Sequence, residues 1–85
     1  MYSILIDPKA RKQLRRIDPR YLKPIQSSID KLANNPLTGK KLESELRNQY
    51  SLRVGVYRII YQLFKEELVV LVIRIDHRGQ VYKHL

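Results

Sequence analysis

The stretch Tyr50 to Tyr61, YSLRVGVYRIIY, constrains the fold of this chain more than any other. Apolar residues alternate through Tyr50, Leu52 and Val54, the period-2 pattern of a half-buried strand. Gly55-Val56 then reads as a two-residue loop with glycine first, the composition of a type II′ hairpin turn. That turn fixes the register: Val54 faces Tyr57, Arg53 faces Arg58, and Ser51 faces Ile60. Parity places Tyr50, Leu52, Val54, Tyr57, Ile59 and Tyr61 on one sheet face, and Arg53, Arg58, Ile60 and Gln62 on the other. Like charges directly across a strand pair destabilise it. Two arginines side by side on an open face therefore mark a place where an anion is expected to sit. The plainer reading pairs them with Glu43 or Glu45.

Eighty-five residues are expected to form one domain, 1–85, around a single core. The chain carries 17 Lys and Arg against 8 Asp and Glu, a net charge of +9. That imbalance points to a polyanion or an acidic protein as partner, beyond what solubility alone requires. With no cysteine, disulfides, thiolate metal sites and thiol nucleophiles are excluded together. Tyr2 to Ile6 is too short for a signal-peptide core and lacks a basic leader, and no apolar run approaches a membrane span. The expectation is a soluble, cytoplasmic protein with no membrane partner. Leu68 to Ile73, the longest apolar run, reads as a buried strand.

Along the chain, Tyr2 to Ile6 reads as a first strand. Asp7-Pro8 is a helix opening, with Asp as N-cap and Pro at the first helical position. The basic helix that follows, Lys9 to about Arg16, turns Ala10, Leu14 and Ile17 inward. Asp18-Pro19 repeats the signal and opens a second helix through Leu22, Ile25, Ile29 and Leu32, stopped by Asn34-Asn35-Pro36. Pro36 to Arg47 is a connecting segment with Leu37, Leu42 and Leu46 expected on the core. Strands Tyr50–Val54, Tyr57–Phe64 and Leu68–Ile75 follow, with a turn at Lys65-Glu66-Glu67 and a short last strand at Val81-Tyr82. The class is α+β: an N-terminal strand, a basic helical hairpin, an antiparallel three-strand meander and a short C-terminal strand, with the helices on one sheet face.

Chemistry-bearing residues concentrate in the arginine pair and in the tail, Asp76-His77-Arg78-Gly79-Gln80-Val81-Tyr82-Lys83-His84. Arg78 just beyond the third meander strand is placed to reach round the sheet edge. Tyr82, four residues on, is positioned either to stack on a base or to pack against the first helix. His77 and His84 are the only histidines, and so the only side chains that ordinarily titrate near neutrality. Lys9, Arg11, Lys12, Arg15 and Arg16 on the first helix form a solvated or phosphate-contacting surface. The three glycines are isolated, so there is no Gly-rich phosphate loop, and no paired histidines fall at metal-ligand spacing. No metal site and no cofactor are expected. An enzyme built on these residues stabilises charge with cations and takes an anionic substrate. Phosphodiester cleavage in RNA fits, since it needs alignment of the 2′-OH, neutralisation of the phosphorane and departure of the 5′-oxygen.

The run LRVGVYRIIY, an apolar strand, then IDHRGQVY together resemble the RelE/ParE superfamily of toxins from toxin–antitoxin pairs. The similarity covers nearly the whole chain. The usual first motif has Asp after the glycine, where this chain has Val56, and the second motif is nearer the RelE branch than ParE. The resemblance implies a ribosome-dependent endoribonuclease that cuts mRNA by 2′-OH attack on the adjacent phosphate. Arg58 then matches the arginine that stabilises the transition state, Arg78 the arginine at the scissile phosphate, and Tyr82 the tyrosine that stacks on the substrate. Arg53 falls where the family often has lysine, and Ser51 where RelE proper has another basic residue. A permanently charged arginine does not serve as a general base, so the base is His77, His84, Tyr82 or none, with His77 taken as the proton-transfer candidate.

In this reading Arg53 and Arg58 clamp the phosphate, and helix 1 with Lys40 and Lys41 contacts ribosomal RNA. The expected partners are the ribosome, mRNA, and a small acidic or partly disordered antitoxin that folds on binding. The competing expectations are a ParE-like poison of DNA gyrase and a RelE-fold binding module without strong chemistry. Arg58, Arg78 and Tyr82 together favour the nuclease.

Overall fold

The computed structural model describes residues 1–42 and 48–77. Strand β1 (Ser3–Ile6) leads into helices α1 (Pro8–Leu14) and α2 (Pro19–Lys31), and then come β2 (Lys40–Lys41), β3 (Gln49–Val54), β4 (Tyr57–Phe64) and β5 (Val69–His77). The five strands form one sheet in the order β1-β5-β4-β3-β2. β1 runs parallel to β5, and the other neighbours are antiparallel.

Both Asp-Pro openings act as caps. The Asp7 and Asp18 carboxylates accept the backbone N–H of Lys9 and Arg20, each at 2.9 Å, satisfying donors that the first helical turn leaves without partners. α1 is shorter than its basic run implied: the chain tightens after Leu14 through N–H bonds from Arg15 to Lys12 and Arg16 to Gln13. Its inner edge is pinned to the sheet where Gln13 Oε1 accepts the Ile75 N–H at 2.7 Å. β1 has ended by then, its last partner being Val72, so a side chain takes the donor that a neighbouring strand would otherwise have used.

Both helices lie on one face and close the core: Ala10, Ile17, Ile25, Ile29 and Leu32 pack on Tyr50, Ile59, Tyr61, Leu63, Val70, Val72 and Ile75. The expected hairpin is present, with Val54 opposite Tyr57 and Arg53 opposite Arg58. Gly55 has φ +59 while Val56 does not enter the positive region, as a type II′ turn requires. A side chain at Gly55 is doubly disfavoured, because its Cβ would lie 2.8 Å from Tyr21 Cε1.

Three expectations change. Leu37 is 62% exposed rather than tucked onto the core, and Leu46 lies outside the described residues. The connecting segment contains strand β2, which pairs Lys40 with Ser51 and Lys41 with Tyr50. β5 starts one residue late, because Leu68 takes a left-handed turn conformation with φ 57, and runs on through His77. Val81-Tyr82 lies outside the described residues.

One irregularity sets what β5 presents. Ile60 faces Arg74 while Tyr61 faces Val72, so Ile73 is an extra residue without a partner in β4. Such a bulge reverses the side-chain alternation beyond it. Val70 and Val72 point at the helices, and so does Ile75, three residues on instead of two or four. Arg74 and Asp76 are thereby turned to the opposite face, and His77 to the helix side.

Candidate anion-binding cleft

The face away from the helices carries a cleft of about 560 Å³ lined by Lys40, Lys41, Leu42, Ser51, Arg53 and Arg58. Its floor is the arginine pair, in direct register across β3 and β4. Side chains so placed leave the backbone about 5 Å apart. Neither guanidinium is bonded to a carboxylate among the described residues; Glu43 and Glu45, the alternative partners, lie outside them. Ser51, in the row beside the arginines, is flanked by Lys40 on β2 and Ile60 on β4. Ile60, on the same face of β4, is only 2% exposed.

The cleft ends in a counter-charge. Asp76 is the cross-strand partner of Arg58 and accepts a hydrogen bond from Arg74 Nε at 2.9 Å, a salt bridge on the same face. The row Arg53–Arg58–Asp76 thus places two cations next to one carboxylate.

One buried hydroxyl holds the chain that leads into the lysine wall. Tyr61, completely buried on β4, donates from Oη to the Pro36 carbonyl at 2.7 Å and accepts the Gly39 N–H at 3.0 Å. Burial pushes the Tyr61 phenol above its ordinary pKa, partly offset by the Gly39 N–H. The folded chain therefore holds this proton more tightly than the unfolded chain does. The associated stability is intact below pH about 10 and is lost as pH rises through the raised folded value. Melting temperatures followed across the alkaline range are expected to fall more steeply for the native chain than for Tyr61→Phe.

A family profile described as ParE toxin of type II toxin–antitoxin system, parDE, matches residues 4–82. The chain belongs to the RelE/ParE toxin superfamily of type II toxin–antitoxin systems. Toxin RelG of Mycobacterium tuberculosis is 33% identical over 84 residues, 96% of this chain and 97% of its own. In the crystal structure of the RelBE2 toxin–antitoxin complex from the same organism, the matching chain superposes with a TM-score of 0.81 at 34% identity, covering 91% of this chain and 98% of that one. The isolated Escherichia coli RelE toxin shares the fold, with a TM-score of 0.82 at 24% identity over 99% of this chain and 94% of that one.

The toxin fold brings together some of the residues singled out by sequence and separates others. Arg53, Arg58, Lys40 and Lys41 share the cleft. His77 does not. Its ring lies edge-on against Tyr57 at 5.1 Å, and Tyr57 in turn meets Tyr21 at 5.3 Å, all on the helix side of the sheet. There His77 lines a small pocket of about 220 Å³ with Gln13, Arg16, Ile17, Tyr57 and Ile75. The strand bulge is the reason: without the extra Ile73, His77 would face the arginines.

Lys9, Arg11, Lys12, Arg15 and Arg16 are all exposed, and Lys9, Lys12 and Arg16 line a separate groove with Pro8 and Gln13. Because α1 packs on the helix face, this basic ridge and the Lys40–Lys41 wall form two surfaces on opposite sides of the sheet. Arg78, Tyr82 and His84 lie outside the described residues. Arg74 and Asp76 were not anticipated, since no alternation in Leu68–Ile73 reveals which way the residues beyond it point. No helix among the described residues is long and apolar enough to cross a membrane.

Proposed function

We propose that this toxin is a ribosome-dependent mRNA endoribonuclease whose phosphate clamp is the Arg53–Arg58 pair. The observation that carries the reading is that pair in direct register, lining one cleft with Lys40 and Lys41. Cross-strand like charge costs stability, and a bound phosphate converts the cost into binding energy. The 2′-oxygen attacks the adjacent phosphorus and loses its proton. The bond from phosphorus to the 5′-oxygen breaks, and that oxygen gains a proton. The products are a 2′,3′-cyclic phosphate and a 5′-OH. Arg58, the more enclosed of the two arginines, neutralises the phosphorane, and Arg53 orients the entering phosphate.

By resemblance, Arg78 supports the leaving side and Tyr82 stacks on the substrate. Lys40, opposite Ser51, supplies an amine on the row where RelE proper has a further basic residue. His77, behind the sheet, stays outside the clamp. The ridge of α1 is the second RNA-facing surface and is assigned to the ribosome. An acidic antitoxin is the expected partner of a chain with net charge +9, in line with relatives solved as RelB–RelE complexes.

Primer extension on mRNA from a cell-free translation reaction tests the reading. New 3′ ends at defined codon positions, only while ribosomes translate, are the expected result. The match to a ParE family profile favours a second reading, poisoning of DNA gyrase. Intact mRNA together with trapped gyrase–DNA cleavage complexes would select it.

A further inference from the structure

β2 is too short to hold itself. It has two residues, sits at the sheet edge, and pairs with β3 at Lys40–Ser51 and Lys41–Tyr50, followed by the Leu42 N–H to the Gln49 carbonyl at 2.9 Å, yet it supplies one whole wall of the cleft. The segment that delivers it from α2 is anchored near its start by Thr38 Oγ1, which donates to the Asn35 carbonyl at 2.7 Å. Its last step into β2 is held from below by Tyr61. That phenol bonds Pro36 and also Gly39, the residue immediately before Lys40. The ring has nowhere to drift: it is fully buried and stacked on Tyr50 at 5.5 Å with planes 14° apart. Tyr50 is itself the register partner of both Tyr61 and Lys41. The fit leaves no slack on the other side, since a Cβ at Gly39 would stand 2.6 Å from Tyr61 Oη and 3.0 Å from the Ser51 carbonyl.

A phenylalanine at position 61 would fill the core as well as tyrosine does. The hydroxyl is spent wholly on the two backbone groups that lead into the lysines. We infer that Tyr61 is the positioning residue of this cleft, setting Lys40 and Lys41 at the height where they meet RNA phosphate. The inference rests on the reading of the cleft as an RNA phosphate site, and its test separates the two.

The probe is a short fluorescein-labelled single-stranded RNA, 2′-deoxy at each position so far as needed to block cleavage, titrated at several salt concentrations. Variants are Tyr61→Phe, Gly39→Ala, Lys40→Ala/Lys41→Ala, and the triple combination with Tyr61→Phe, each first shown folded by its thermal melt. Single-strand binding loses about 0.7 in the slope of log K against log salt per cation removed, so two lysines are worth about 1.4 in slope and about tenfold in affinity at physiological salt. Tyr61→Phe and Gly39→Ala are expected to approach that loss in both slope and affinity. Adding Tyr61→Phe to the double lysine variant is expected to change neither further.

Unchanged binding by Lys40→Ala/Lys41→Ala would overturn the cleft reading itself. Weakened lysine variants with Tyr61→Phe retaining the native slope would overturn the positioning role alone. An equal additional loss when Tyr61→Phe is placed on the lysine variant would also overturn it, since a defect independent of the lysines is merely structural. Should Tyr61→Phe fail to fold, Gly39→Ala carries the same comparison with the phenol in place.

Discussion

Arg58→Ala is expected to slow mRNA cleavage by about 10²- to 10³-fold, the usual cost of removing one preorganised stabiliser of transition-state charge. Its melting temperature should change little. The two effects have a common origin in the register. Arg58 stands between two cross-strand neighbours: Arg53 on β3, which repels its guanidinium, and Asp76 on β5, which attracts it. Removing it takes away a small repulsion from Arg53 and a comparably small attraction to Asp76, and with them the group that meets the growing negative charge on phosphorus. Asp76 loses its cross-strand partner but keeps its bond to Arg74, so the carboxylate is not left bare. Arg58→Lys is expected to fall between, keeping charge without the fork that grips two phosphate oxygens. Single-turnover cleavage on translating ribosomes, run beside thermal melts, measures both quantities. Native cleavage rates for Arg58→Ala would remove Arg58 from the chemistry.

How far this arrangement was legible in the sequence depended on whether each strand advertised its phase. YSLRVGVYRIIY did, because polar residues interrupt the apolar ones and Gly55 fixes the turn, so the Arg53–Arg58 pair follows from parity alone. The Asp-Pro caps were equally plain, since capping chemistry is local. β5 was opaque for the opposite reason. LVVLVI is apolar at every position, and nothing in it signals that Ile73 is skipped. That single slip decides that Arg74 and Asp76 join the arginine face and that His77 leaves it. β2 was illegible because two lysines carry no periodicity, and its place is settled by Tyr61 some twenty residues away. Leu37 misleads in the same manner: an isolated leucine in a loop carries no information on which way it faces. The residues that line the cleft were thus readable where patterning is local and unreadable where a bulge or a distant hydroxyl sets them.

Ile59→Ala is expected to do the reverse of Arg58→Ala, one residue along the same strand. Ile59 is fully buried on the helix side, in register with Leu52 on β3 and Ile75 on β5, beneath the helix residues of the shared core. Removing three carbons there loses their transfer free energy and opens a cavity that rigid strands on both sides do not collapse to fill. Such truncations cost about 2–5 kcal/mol. A chain of this length has only about 4–13 kcal/mol in all, and each kcal/mol is worth about 4–8 °C in a domain of this size. The expected melting temperature is therefore lower by about 8–40 °C. Cleavage per folded molecule should be preserved at temperatures well below that transition, because Arg53, Arg58 and the lysine wall stand on the other face and keep their register. Thermal melts and cleavage rates corrected for folded fraction read this directly. Two neighbouring substitutions that exchange the two losses, activity for stability, are what a sheet with one face for the core and one for the phosphate requires. A large fall in the corrected rate for Ile59→Ala would mean that the faces are mechanically coupled, and that the arginine pair depends on packing behind it as well as on its own register.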